Sequence, residues 1–217
     1  MTVFDNTKIL LVDLQCIPCI DYYKLLVPYQ HLRFEQYEHL RKGSYSNRYY
    51  VAGANGRILL SVPLLHARKE KMPLKDLKIC NRDRWQLLHW RTLTSAYRRS
   101  PWFEFYEEEL RSLYDKKFEY LKDWNLEAFT MINKWLNLSW KISWTEEYFR
   151  TYPDAEAKDF RNSIVPRLVI DNPSAGFQEY HQVFEYRTGF LPGLSILDLI
   201  FCEGKRSVEL LGVKRNG

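Results

Sequence analysis

Several familiar signatures are missing from this sequence. No run approaches the roughly 18 apolar residues of a membrane-spanning helix. The opening "MTVFDNTK" has neither the basic start nor the apolar stretch of a secretory signal. A cytoplasmic protein with no membrane insertion is therefore expected. There is no GxGxxG, so a Rossmann dinucleotide site lacks its glycine turn, and no GxxxxGK[ST] to cradle phosphates. GxSxG and HExxH are absent as well. Cysteine is scarce, with four in 217 residues, and Cys80 and Cys202 stand alone, which excludes a disulfide framework.

Cys16 and Cys19 form a CxxC between an apolar run and a helix-like segment, the arrangement in which a helix N-terminus activates a thiolate. A structural zinc site needs four ligands, and no second CxxC or paired histidine stands ready. No metal and no cofactor is expected. The net charge of +5, from 32 Lys and Arg against 27 Asp and Glu, is mild and spread without a polybasic run. Nucleic acid is not an expected partner, whereas a small phosphate-bearing molecule remains compatible.

Aromatic residues are abundant: 7 Trp, 15 Tyr and 12 Phe make 16% of the chain. Core filling is the first reading of such a surplus, and a groove for sugars, bases or peptides the second. The length and the 46% hydrophobic content suit one domain over 1–217.

Along the chain, "KILLVDL" (8–14) reads as a buried strand and "DYYKLLVPYQ" (21–30) as a helix stopped by Pro28. "HLRFEQYEHL" reads as a second strand, whose alternation sends Glu35 and Tyr37 to one face and Gln36 and Glu38 to the other. "NRYYVAG" and "GRILLSVPLL" form a hairpin through Asn55-Gly56. "LKDLKIC" (74–80) offers one more strand.

Over 84–98 the period becomes helical. Trp85, His89, Trp90, Leu93, Ala96 and Tyr97 fall within one arc, with Arg84, Arg91, Ser95 and Arg98 opposite. Ser100 as N-cap and Pro101 at the first position start a second helix, and "NLEAFTMINKWLNL" a third. "SWKISWTEEY" (139–148) alternates as a strand. Residues 150–182 hold three prolines and few apolar pairs, which predicts a long loop or lid. Order returns in "GFLPGLSILDLIFCEG" (189–204), with Ser195 as N-cap and Asp198 in the first helical turn. The fold class expected is α/β or α+β: a mixed sheet with an N-terminal strand-helix-strand and hairpin, flanked by a helical region and a C-terminal helix.

Three separated blocks resemble one family. Lys42, Tyr45, Asn47 and Arg48 match its aromatic K-x-x-[WY]-x-N-R pattern, and Val62-Pro63 its strand ending in proline. Trp90, Arg91, Leu93, Ala96, Tyr97, Pro101, Trp102 and Phe103 match its central helix motif. Phe190, Pro192, Leu194, Ser195, Ile196 and Asp198 match its C-terminal block. On these residues the chain resembles the WbqC-like protein family, found with bacterial O-antigen and surface-polysaccharide gene clusters. Pro18 is kept from the family's opening block, and Cys16 and Cys19 flank it where relatives carry aromatic or apolar residues, so both read as packing residues.

The resemblance implies a role in surface-polysaccharide assembly. The enzyme reading is acyl or aminoacyl transfer onto an anionic sugar precursor such as a nucleotide sugar. The alternative is a non-catalytic binding or scaffold protein. His89 is the candidate catalytic group, a buried imidazole kept neutral for proton transfer or a satisfied core histidine. Asn47, Arg48, Arg91 and Asp198 are the candidate substrate-binding residues, with the arginines as bidentate anion clamps. Asp198 could equally complement the helix dipole or hold an arginine.

Overall fold

The apolar "ILLVD" suits a strand buried on both faces, and it forms β1 (Ile9–Asp13) at the centre of the fold. The computed structural model describes residues 9–65, 72–153, 157–171 and 179–213. After β1 come α1 (Ile20–Leu26), β2 (His31–Glu35) and the hairpin of β3 (Arg48–Gly53) and β4 (Gly56–Ser61). The helices α2 (Trp85–Tyr97), α3 (Phe103–Asp115) and α4 (Leu121–Leu136) follow, then β5 (Lys141–Trp144) and β6 (Ala157–Asp159). Last are the short α5 (Pro166–Asp171) and α6 (Glu185–Thr188), then α7 (Ile196–Glu203) and α8 (Ser207–Leu210).

The α/β class is as expected, and parallel and antiparallel strands are both present. They lie in two sheets rather than one. The main sheet has the order β5-β2-β1-β6 with every pair parallel, and β3 and β4 pair antiparallel by themselves. Asp13 lies level with Glu35, so the carboxyl ends of β1 and β2 are flush.

The periodicity of α2 reads true. Its buried residues are Trp85, His89, Trp90, Leu93, Ala96 and Tyr97, the same six that share the apolar arc. Three expectations need correction. Residues 150–182 are not one loop: their described part supplies β6, which completes the main sheet, and α5. The lid expectation for 154–156 and 172–178 lies outside the described residues. "LKDLKIC" makes a single 3-10 turn and isolated bridges to Leu64 and Tyr120 instead of a strand. Ser100 does not cap α3, because its hydroxyl turns back to donate to Tyr97 O at 2.6 Å and Trp102 takes the cap position.

The aromatic surplus goes largely into the core. Phe129 stacks on Tyr23 and Trp140 and meets the edge of Phe34. Trp124, fully buried, is surrounded by Trp85, Tyr114 and Phe118, all with ring centroids within 5.4 Å. Phe201 of α7 packs against Tyr97 and Phe103, joining the C-terminal helix to α2 and α3. Each such pair contributes about 0.5–1.5 kcal/mol beyond its area burial.

Candidate functional site

An amphipathic helix with one buried face must turn the other outward, and on α2 that outward face is cationic. Arg91 and Arg98 are exposed two turns apart, Arg99 follows at the helix end, and Thr94 and Ser95 lie between them. This strip forms one wall of a groove of about 930 Å³. His181, Gln182, Val183, Phe184 and Tyr186 form the facing wall, and Cys202 of α7 reaches in from the floor. Tyr186 is 81% exposed, so its ring is free to lie over a ligand. Among the described residues no carboxylate pairs with Arg91, Arg98 or Arg99. The groove therefore presents positive charge on one side and aromatic and amide groups on the other, a combination suited to an anion with a flat or ring-shaped body.

Asp198 lies beneath, on α7, with no exposed surface. Tyr97 donates its hydroxyl proton to one carboxylate oxygen at 2.7 Å and Tyr180 to the other at 2.5 Å. Gln182 Nε2 donates to Tyr180 Oη and to Leu191 O, both at 3.1 Å. Burial pushes the Asp198 carboxyl up to about 6 and the two hydroxyl donors pull it back. Among the described residues no arginine is held by this carboxylate; Tyr97 and Tyr180 take the place that the sequence suggested for one.

The remaining predicted residues sit around the β3–β4 hairpin and do not line the groove. Asn47 Nδ2 donates to Val62 O at 2.9 Å, and Val62 N–H donates to Asn47 O at 2.8 Å, which closes the open end of the hairpin. Arg48 begins β3 opposite Ser61, and its buried Nε has no hydrogen-bond partner among the described residues. His89 reaches the same hairpin from α2. A carbonyl can only accept, so His89 Nε2 donates to Ser61 O at 3.2 Å, and Nδ1 then accepts from Tyr49 Oη at 3.1 Å. Tyr49 Oη in turn accepts from Tyr114 Oη at 2.7 Å. Both ring nitrogens are engaged, and burial lowers the imidazole to about 4. The fold thus brings Arg91 to the groove with Asp198 buried beneath it, and Asn47, Arg48 and His89 to one hairpin.

A second polar centre escaped the sequence reading. In parallel sheets ligands gather outside the carboxyl ends of the strands where the order reverses, here on either side of β1. Asp13, Glu35 and Asp159 end β1, β2 and β6 at that edge. The chain occupies the place itself. Arg161, whose side chain is 5% exposed, pairs with Glu35 at 3.1 Å and with Asp159 at 2.6 Å. Asn162 donates its N–H to Asp13 at 2.7 Å and its amide to Glu38 at 2.9 Å. Burial raises the Asp13 carboxyl to about 6. Glu35 and Glu38 were expected on opposite strand faces, but β2 ends at Glu35, so alternation no longer applies and both reach this edge. An acidic residue at the end of β1, β2 and β6, three of the four parallel strands, was the available signal. Among the described residues no group of three or more His, Cys, Asp or Glu could hold a metal ion.

Cys16 and Cys19 are free, buried thiols, and burial raises both to about 12. That is the reverse of an activated CxxC. No described helix is long and apolar enough to cross a membrane.

No curated protein and no solved structure matches the chain. The WbqC-like protein family does, over residues 15–210, a span that takes in the hairpin, the arginine strip of α2, the facing wall of the groove and Asp198. The chain belongs to the WbqC-like protein family.

Proposed function

We propose that this WbqC-like protein is a single-domain cytoplasmic protein that binds an anionic sugar precursor, of the nucleotide-sugar type, in the groove beside α2, for a step in surface-polysaccharide assembly. The observation that carries this reading is the row of guanidinium groups, Arg91, Arg98 and Arg99, which pair with no carboxylate among the described residues and face Phe184 and Tyr186 across the groove. A diphosphate would take the arginines, and a base or sugar ring would lie against the aromatic wall. Each charge-assisted bond would contribute about 1.5–3 kcal/mol. Arg48 and Asn47 belong to the scaffold of the hairpin in this reading, and Asp198 to the groove's foundation.

The group-transfer reading draws support from a different histidine than the sequence suggested. His89 has no free nitrogen to carry a proton. His181, which lines the groove, has Nδ1 3.1 Å from Glu185 Oε2. A carboxylate so placed orients an imidazole and leaves Nε2 for proton transfer to or from a bound acceptor hydroxyl.

Calorimetry with UDP-glucose and with glucose tests the binding reading. The nucleotide sugar should bind and free glucose should not. Arg91→Ala and Arg98→Ala should each weaken binding by roughly 10- to 150-fold, with melting temperatures close to that of the parent. Absence of binding at millimolar nucleotide sugar, or affinity unchanged in both variants, would sink the proposal and favour a scaffold role.

A further inference from the structure

We propose that Asp198 is a positioning residue whose carboxylate ties both walls of the groove to α7 beneath them, one wall through Tyr97 and the other through Tyr180. The direction of each hydrogen bond is forced, and that is what makes the carboxylate necessary. Ala52 N–H can only donate, and it donates to Tyr97 Oη at 2.9 Å, so the Tyr97 proton must find a separate acceptor. Asp198 Oδ1 is that acceptor. On the other wall, Leu191 N–H donates to Gln182 Oε1 at 2.8 Å, which fixes the orientation of the amide and turns Nε2 toward Tyr180 Oη. The Tyr180 proton is thereby directed to Asp198 Oδ2.

Each carboxylate oxygen thus receives one hydroxyl, and the two hydroxyls come from opposite sides of the groove. Tyr97 is the last residue of the α2 stretch that carries Arg91 and leads into Arg98 and Arg99. Tyr180 lies two residues before Gln182, where the facing wall passes through Val183 and Phe184 to Tyr186. An ionised carboxylate accepts at both oxygens and donates at neither, whereas an asparagine offers one acceptor and one donor. Asparagine at position 198 would turn its amide toward a tyrosine oxygen that already accepts an N–H, and one wall would come loose. Because Asp198 is wholly buried, it acts on a ligand only through the spacing of the walls. The consequence for ligand affinity rests on the groove being the binding site; the tie itself does not.

Amide hydrogen exchange on the ligand-free protein, followed by calorimetry with UDP-glucose, tests the tie. In Tyr180→Phe and Asp198→Asn, exchange over 179–188 should rise at least about tenfold while amides of β1 and β2 keep their parent rates. Arg91→Ala should leave exchange over 179–188 unchanged. Where the parent protein binds UDP-glucose, Tyr180→Phe should weaken it at least about fivefold without removing any group from the groove lining. If Tyr180→Phe leaves exchange over 179–188 unchanged, or speeds exchange everywhere alike, no tie exists. If exchange rises locally yet affinity for UDP-glucose is that of the parent, Asp198 does not position the ligand. Local loosening in a protein that never binds UDP-glucose supports the tie and counts against the proposed ligand alone.

Discussion

Replacing Arg161 by alanine should remove a large share of the protein's stability, although Arg161 lies in a stretch whose sequence reads as a loop. Its side chain is 5% exposed and that of Glu35 wholly buried. The guanidinium donates to both oxygens of Asp159, to Glu35 Oε2 at 3.1 Å and to the carbonyls of Phe149 and Arg150 at 3.0 and 3.4 Å. In the alanine variant the donors left to Glu35 among the described residues are neutral, Thr145 Oγ1 at 2.9 Å and Tyr37 N–H at 2.8 Å, and it remains a buried charge without its cation. Breaking a buried pair from one side costs about 3–5 kcal/mol. For a chain of this size that lowers the melting temperature by roughly 6–20 °C. Glu35→Gln removes the charge that needs a partner, so the double variant should recover part of the loss, with a coupling of about 1–3 kcal/mol. Urea unfolding of the four proteins at neutral pH measures this, the midpoint shifting at constant slope. A loss under about 1 kcal/mol in Arg161→Ala, with no coupling to position 35, would show that water reaches this pair and that the carboxyl edge of the sheet stands open.

Two other outcomes follow from buried titratable groups. His89 is held neutral, its folded value near 4 lying below the ordinary 6.5, so its contribution is fully present above about pH 6.5 and declines as pH falls toward 4. His89→Gln should flatten that part of the stability profile, and an imidazole signal titrating near 6.5 in the native protein would contradict the assignment. Cys16 and Cys19 should resist iodoacetamide at pH 8 in the native state and react on unfolding, as mass spectrometry of the alkylated peptides will read; rapid native labelling of either would restore the redox reading.

What the sequence disclosed depended on how far each element's partner lay. The arc of α2 is written in its own spacing, because a helix that buries one face must repeat its apolar residues at that period. The hairpin turn falls on Ala54-Asn55, one residue before the expected Asn55-Gly56, and Gly56 opens β4 at φ +115°, a conformation that favours glycine and so leaves a local mark in the sequence. β6 is the opposite case: "AKD" buries only Ala157 and joins the sheet through backbone pairing to β1, which no side-chain pattern announces. The site divided in the same way. Arg91 stands out as a cation on a polar helix face, but the wall opposite it comes from residues about 90 positions later with no regular period. Asp198 reads from its first-turn position as a substrate ligand, a helix-dipole partner or a holder of an arginine, and only the tertiary fold places two tyrosines over it.

The parallel main sheet has a consequence for the chain as it leaves the ribosome. β1 pairs with β2 soon after both are made, but its other edge waits for Ala157–Asp159 and the outer edge of β2 for Lys141–Trp144. At ordinary elongation rates of ~5–20 residues per second, β6 emerges roughly 7–30 s after β1. Through that interval the apolar "ILLV" strand offers bare amides and carbonyls to any neighbouring nascent chain, the setting in which edge-to-edge aggregation begins. Yield from cells should therefore respond to translation speed and to chaperones that hold extended apolar segments, more than the finished fold's stability alone would suggest.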